Sequence, residues 1–270
     1  MIRLGAVGYL NARPLVYGLE SDARFSLRSD VPSECARLLH ARAIDAGLIP
    51  SIEYLRGPAP YAIVPGPAVI SHGAVASVAI YTARDPRDIR TIAMDTSSRT
   101  SVALAAIVLK RAFGVSPTPI PSAPDLESML NRADAALIIG DIALFLDAAA
   151  HGVQKVDLGE TWGRTTGLPF VYAFWAGWPD AIGPGDVASL QQARDRGLDH
   201  VMDIARASCP DDRARQTIVS RYLRDNIQYV LGGAEEAGLR TFYRYASELN
   251  LVPPFDGELR FFDANDSGER

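Results

Sequence analysis

Metal-binding and redox chemistry have little to work with in this chain of 270 residues. Its two cysteines, Cys35 and Cys209, stand far apart and outside any paired motif, which argues against a disulfide framework or a zinc site. The four histidines (His40, His72, His151 and His200) are scattered, with no His-x-x-x-His spacing, so no metal is expected. Lysine is nearly absent and arginine carries most of the positive charge. The net charge of −5 and a pI near 5.4 make the backbone of a nucleic acid an unsuitable partner. No apolar run approaches the ~20 residues that span a bilayer. The opening Met1-Ile2-Arg3-Leu4-Gly5-Ala6-Val7 reads as a first strand rather than a secretory signal, so a cytoplasmic chain with no membrane partner is expected. There is no dinucleotide fingerprint, phosphate loop or Ser-His-Asp pattern, and no cofactor is expected.

What is present is the composition of an ordinary globular protein, 48% hydrophobic and 22% charged, long enough for one large or two modest domains. Apolar runs alternate with polar loops and helical stretches in two series. The first has strands at Ile2–Val7, Phe25–Ser29 and Ile44–Ile49. Pro14 is expected in the first turn of a helix at Leu15–Leu19, with Asn11 just outside it. Tyr61–Val64 and Ala68–Ser71 read as two strands broken by Pro65-Gly66-Pro67. Ala74–Thr82 reads as a long alternating strand with Val75, Ser77, Ala79 and Tyr81 on one side. The second series has strands at Thr91–Met94, Thr118–Ile120, Ala135–Ile139 and Val153–Asp157, and Phe170–Ala176 follows as another long strand. Beyond Trp178-Pro179 the pattern is helical, with no clear strand, and Asp263–Arg270 reads as a disordered polar tail.

Two βα series predict an α/β fold of two lobes. Residues 1–84 with 177–270 are expected to form the first lobe and 85–176 the second. Ala74–Thr82 and Phe170–Ala176 would be the two crossing strands, with a ligand cleft between the lobes, as in type II periplasmic binding proteins. A single doubly wound sheet is the alternative.

The most informative stretch is Asp95-Thr96-Ser97-Ser98-Arg99-Thr100-Ser101, between a strand and an apolar helix. A helix N-terminus offers unpaired N–H groups and a positive dipole end, and the hydroxyls of Ser97, Ser98, Thr100 and Ser101 add donors. Arg99 is able to grip a carboxylate with two parallel hydrogen bonds. Other polar residues at strand ends are Asn11, Ser51, and Gly140 with Asp141, while Ser77 lies on the first crossing strand. Each also has a plainer role as a cap, turn or packed residue. These residues point to a cleft for a small carboxylated molecule and leave a binding protein and an enzyme equally open.

Five ordered segments then carry a resemblance: Gly8-Tyr9-Leu10-Asn11 with Pro14, Asp45 to Ser51, Thr96 to Ser101, Ala133 to Leu144, and Asp157 to Val171. Together they resemble the chorismate dehydratase family of the futalosine route to menaquinone. The resemblance runs from the first strand to about Ala176. It implies a cofactor-free lyase converting chorismate to 3-(1-carboxyvinyloxy)benzoate and water. It further implies catalytic roles for Asn11 and Ser77, and substrate binding by Ser97, Ser98, Arg99, Thr100, Ser101, Gly140 and Asp141. No general base is evident; Asp95, Asp141 and the substrate's own side-chain carboxylate are the candidates. The sister 1,4-dihydroxy-6-naphthoate synthase shares the fold but has a Ser/Cys/Pro-rich first loop, and a solute-binding protein for a small carboxylate is the other alternative.

Overall fold

The computed structural model describes residues 1–263. The stretch 264–270, most of the expected polar tail, lies outside the described residues. The chain opens with β1 (Ile2–Val7), β2 (Phe25–Asp30), α1 (Pro32–His40), β3 (Ala46–Pro50) and β4 (Ala62–Ser71). It continues through β5 (Val78–Thr82), β6 (Thr91–Asp95), α2 (Arg99–Phe113), β7 (Thr118–Ser122) and α3 (Leu126–Leu130). β8 (Ala135–Ile139), α4 (Gly140–Phe145), β9 (Gln154–Asp157), α5 (Leu158–Thr166) and β10 (Phe170–Gly177) follow. The remainder is α6 (Pro184–Asp199), α7 (Val201–Ser208), α8 (Arg213–Arg221), a π-helical turn Tyr222–Asn226, β11 (Gln228–Val230) and α9 (Gly233–Glu248).

These strands form two sheets, ordered β11-β4-β10-β3-β1-β2 and β7-β6-β8-β5-β9. β1 pairs in parallel with β2 and β3, and β6 with β7 and β8, as βα units require. The strand that follows each crossing enters its new sheet antiparallel: β5 between β8 and β9, and β10 between β3 and β4. β5, expected with the first lobe, therefore belongs to the second sheet, and β10 belongs to the first. The crossings are not the strands themselves but the connector 72–77 and the segment carrying α5.

Local chemistry explains where the expected elements shift. The strand expected from Ala74 begins only at Val78, because the Asp157 carboxylate accepts the Val75 and Ala76 N–H groups at 3.1 and 2.7 Å. Ala76 takes a left-handed φ of 64° within that turn, an unusual conformation that the two hydrogen bonds hold. Conversely, β4 runs straight through Pro65-Gly66-Pro67 as one strand. Its register against β10 shifts there, so the prolines fall in a bulge where no ladder N–H is needed. The expected helix at Leu15–Leu19 is replaced by a 3₁₀ segment, Leu10–Val16, with Pro14 inside and Asn11 on its first turn. Gly197 of α6 lets that segment pack closely, since a Cβ there would stand 2.2 Å from the Pro14 carbonyl oxygen. β11, three residues long, was not foreseen from the sequence.

Most buried side chains form one core that runs through both lobes. A smaller cluster, including Ala79, Tyr81, Ala136, Ile138 and Met129, fills the far face of the second sheet. The alternation along β5 and β8 divides their side chains between these two cores. The crossings are thus anchored in continuous apolar packing, and the cleft lies between two well-supported sheets.

Candidate active site

A cavity lies between the lobes at the strand ends. Its walls are largely apolar, from Val7, Leu48 and Val69 on one side and Val78 and Ile139 on the other. The polar side chains that reach it are Tyr9, Asn11, Ser98, Ser101 and Tyr172. Among the described residues, no carboxylate, guanidinium or ammonium side chain lines it.

The second lobe contributes the start of α2. The Asp95 side chain accepts the Ser97 N–H at 2.9 Å, tightening the turn that ends β6. Ser98 is the N-cap: its Oγ accepts from the Ser101 N–H at 3.5 Å and lies 3.0 Å from the Ser101 hydroxyl. The first-turn N–H groups and the positive end of the helix are therefore presented beside two small hydroxyls, an arrangement suited to a carboxylate. Gly140, immediately after β8, has a φ of 67° and brings its backbone against the Tyr9 ring, where a Cβ would stand 3.2 Å from the nearest ring carbon. Only glycine combines that conformation with that approach.

The first lobe contributes Tyr9 and Asn11 through the 3₁₀ segment after β1. The Tyr9 hydroxyl is 2.9 Å from the Ser97 hydroxyl across the cleft. Burial pushes the Tyr9 pKa up, against the opposing effect of that hydrogen bond, so the phenol stays protonated. Asn11 lines the cavity from the same side.

The structure gathers Asn11, Ser98, Ser101 and Gly140 around one cavity and places the other predicted residues beside it. Ser77 is 1% exposed and does not line the cavity; its Oγ lies 2.7 Å from the Tyr222 hydroxyl. Starting β5 at Val78 moved Ser77 out of the strand face that would have aimed it into the cleft. Ser97 and Thr100 serve lobe contacts. The Ser97 carbonyl accepts the Ser33 N–H at 3.3 Å, and Thr100 Oγ1 accepts the Ile52 N–H at 3.2 Å. Ser51, another strand-end candidate, donates to the Val171 carbonyl at 2.8 Å. Asp141 accepts the Leu10 N–H at 3.1 Å, and burial raises its pKa despite that bond and the nearby Arg13 charge. Arg99, expected to grip a substrate carboxylate, turns instead to the first lobe, where its Nη1 meets Glu53 Oε2 at 2.8 Å. The Glu53 carboxylate, 1% exposed, also pairs with His40 and Arg56. In this structure the Arg99 guanidinium is thus engaged in a lobe contact and does not line the cavity.

Tyr9, Tyr172 and Tyr222 were not among the expected site residues. Tyr9 sits at a strand end like Asn11 and was open to the same inference. Tyr222 lies in the C-terminal helical region, where no local pattern marks it. Among the described residues no group of three or more His, Cys, Asp or Glu is placed to hold a metal, and no helix is long and apolar enough to cross a membrane.

Known proteins agree with this architecture. The chorismate dehydratase of Thermus thermophilus is 31% identical over 268 residues, covering 93% of this chain and 97% of that protein. A solved protein of Archaeoglobus fulgidus superposes with a TM-score of 0.75 at 16% identity, covering 93% of this chain and 98% of its own. The periplasmic aliphatic sulphonate binding protein of Escherichia coli gives 0.65 at 16% identity, over 100% and 94% of the two chains. A Candida albicans protein with the generic periplasmic binding protein fold gives 0.68 at 10% identity, over 100% and 99%. The two-lobed fold is thus that of the periplasmic binding proteins. The profile of a family described as menaquinone biosynthesis matches residues 2–248, and the chain belongs to that family.

Proposed function

We propose that this protein is a cofactor-free carbon–oxygen lyase that dehydrates chorismate to 3-(1-carboxyvinyloxy)benzoate for menaquinone biosynthesis. The observation that carries the reading is the cavity itself: a neutral, mostly apolar space where Asn11 of one lobe faces Ser98, Ser101 and the α2 N-terminus of the other. Family membership and the activity named for the Thermus thermophilus relative support it.

The chemistry asks little of a protein base. The C3–H bond breaks and its electron pair becomes the C3–C4 double bond as the C4 hydroxyl departs. The ring becomes aromatic, and the proton from C3 leaves with the hydroxyl as water. Aromatisation supplies driving force, so the enzyme's share is positioning and stabilisation of charge on the departing oxygen. Asn11 is the catalytic residue, donating to the departing hydroxyl or the adjacent carboxylate. The hydroxyls of Ser98 and Ser101 and the first turn of α2 hold a substrate carboxylate. Ser77 acts from behind the wall through its hydrogen bond to Tyr222. Asp95 and Asp141 do not line the cavity and are engaged by the N–H groups of Ser97 and Leu10. The substrate's side-chain carboxylate is the better-placed proton carrier. A biosynthetic role of this kind goes with a cytoplasmic location.

Incubating the purified protein with chorismate and no cofactor tests the proposal, following loss of the diene and gain of an aromatic product. Turnover is expected; tight binding without turnover points to a receptor, and indifference to chorismate points to the sister synthase.

A further inference from the structure

Tyr9 stands two residues before Asn11, and Ser97 stands one residue before Ser98. Tyr9 and Asn11 belong to the first lobe, where the chain enters the 3₁₀ segment Leu10–Val16. Ser97 and Ser98 belong to the second, on the turn that opens α2. The Tyr9 and Ser97 hydroxyls, 2.9 Å apart, therefore join the neighbours of the two groups assigned to the chemistry. Among the described residues neither hydroxyl has another hydrogen-bond partner.

The surrounding contacts fix where each hydroxyl points. The Ser97 N–H is held by the Asp95 carboxylate at 2.9 Å, and the Ser97 carbonyl accepts the Ser33 N–H of α1 at 3.3 Å. One residue after Tyr9, the Leu10 N–H donates to the Asp141 carboxylate at 3.1 Å. The Tyr9 ring rests on Gly140, which leaves room for it by lacking a Cβ. With both sides anchored, the pair forms at one separation of the lobes. Moving the lobes apart by about 1 Å breaks such a bond. A misplacement of that size between a reacting group and its substrate is also enough to cost rate. We propose, resting on the dehydratase reading above, that Tyr9 is a positioning residue: through Ser97 it sets the separation between Asn11 and the start of α2. A chorismate carboxylate held at Ser98 then brings the C4 hydroxyl within reach of Asn11. Either hydroxyl of the pair serves as donor without changing that role. Ser97 does not line the cavity, so its importance to turnover would come only through Tyr9.

Tyr9→Phe keeps the ring on Gly140 and removes the hydroxyl, and Ser97→Ala removes its partner. With chorismate as substrate, each should lower kcat about 5- to 10-fold, the worth of one neutral hydrogen bond, with KM changed less than about threefold. The double variant should be no slower than either single one, because both remove the same contact. All three should melt close to wild type, since both residues are only half-buried and water replaces the lost partner. Wild-type kcat in Tyr9→Phe or in Ser97→Ala overturns the positioning role. A defect in Tyr9→Phe alone makes the phenol a direct substrate contact and overturns it as well. So do losses that multiply fully in the double variant. Each of these results leaves the dehydratase reading intact, whereas absence of chorismate turnover by the wild-type protein overturns both.

Discussion

Around Glu53 the two lobes meet through charge, whereas across the cleft Tyr9 and Ser97 meet through their hydroxyls. The first cluster joins a buried carboxylate to Arg99, Arg56 and His40 and stands outside the cavity. The second joins the Tyr9 and Ser97 hydroxyls at 2.9 Å, and Tyr9 reaches the cavity. The difference shows how a site for an anion is built without a cation inside it. Charged side chains pair with one another outside the cavity, and the cavity keeps donors that no counter-ion occupies. A fixed dipole in an apolar cavity stabilises developing charge without having to reorient.

That contrast breaks most sharply at Asn11. Asn11→Ala should lower kcat for chorismate about 1,000-fold, the cost of losing a single preorganised donor. Its melting temperature should stay close to wild type, since the side chain faces a cavity. Near-normal turnover in a direct assay of chorismate consumption would move the chemistry away from Asn11.

Glu53→Gln addresses the charged cluster and should do the reverse. It leaves three basic side chains facing a neutral amide and should destabilise folding by about 3 kcal/mol, read from urea denaturation at neutral pH. The same cluster gives stability a pH dependence. Burial alone would raise the Glu53 pKa, but the His40 hydrogen bond and the charges of Arg99 and Arg56 hold it below the usual 4.5. A depressed folded-state pKa favours the fold above 4.5, and this contribution is lost as pH falls from there through the folded value. The difference in unfolding free energy between wild type and Glu53→Gln should therefore shrink on acidification below pH 4.5. A difference independent of pH would mean that the carboxylate is not held as a charge.

Ser98→Ala stands between the two clusters, because Ser98 both caps α2 and lines the cavity. Losing the cap should cost about 1 kcal/mol of stability. Losing a neutral donor to a carboxylate should raise KM roughly 5- to 10-fold, with kcat nearly unchanged. A stability loss without a KM change would make Ser98 a cap alone.

How far the sequence revealed this arrangement depended on whether the determining contact was local. The runs Ile2–Val7 and Ala135–Ile139 are continuous and apolar, so their strands were legible, and the hydroxyl-rich start of α2 announced a helix N-terminus at a cleft. Two lobes followed from two βα series. The start of β5 was not legible, because Asp157 sets it from some 80 residues away. Ser77 was misaimed for the same reason. Tyr222 carries no signal of its own, since only the packing of the C-terminal helices and a π-helical turn bring it against Ser77.

Arg99 gives the smallest effect and the sharpest discrimination. Its sequence context, in the first turn of a helix among the hydroxyls of Ser97, Ser98, Thr100 and Ser101, favours a carboxylate ligand; its contact with Glu53 favours a lobe clasp. The side chain is 43% exposed, so much of the pair's attraction is screened by water. Arg99→Met keeps the apolar stem and removes the guanidinium. As a clasp, it should cost about 1 kcal/mol or less of stability, because Arg56 and His40 still partner Glu53. KM for chorismate should then change less than about threefold. Were Arg99 a bidentate ligand of the substrate, its removal would cost a charge-assisted pair of ~2 kcal/mol or more and raise KM some thirtyfold. The KM of this one variant therefore decides whether the positive charge at the start of α2 acts on the lobes or on the substrate.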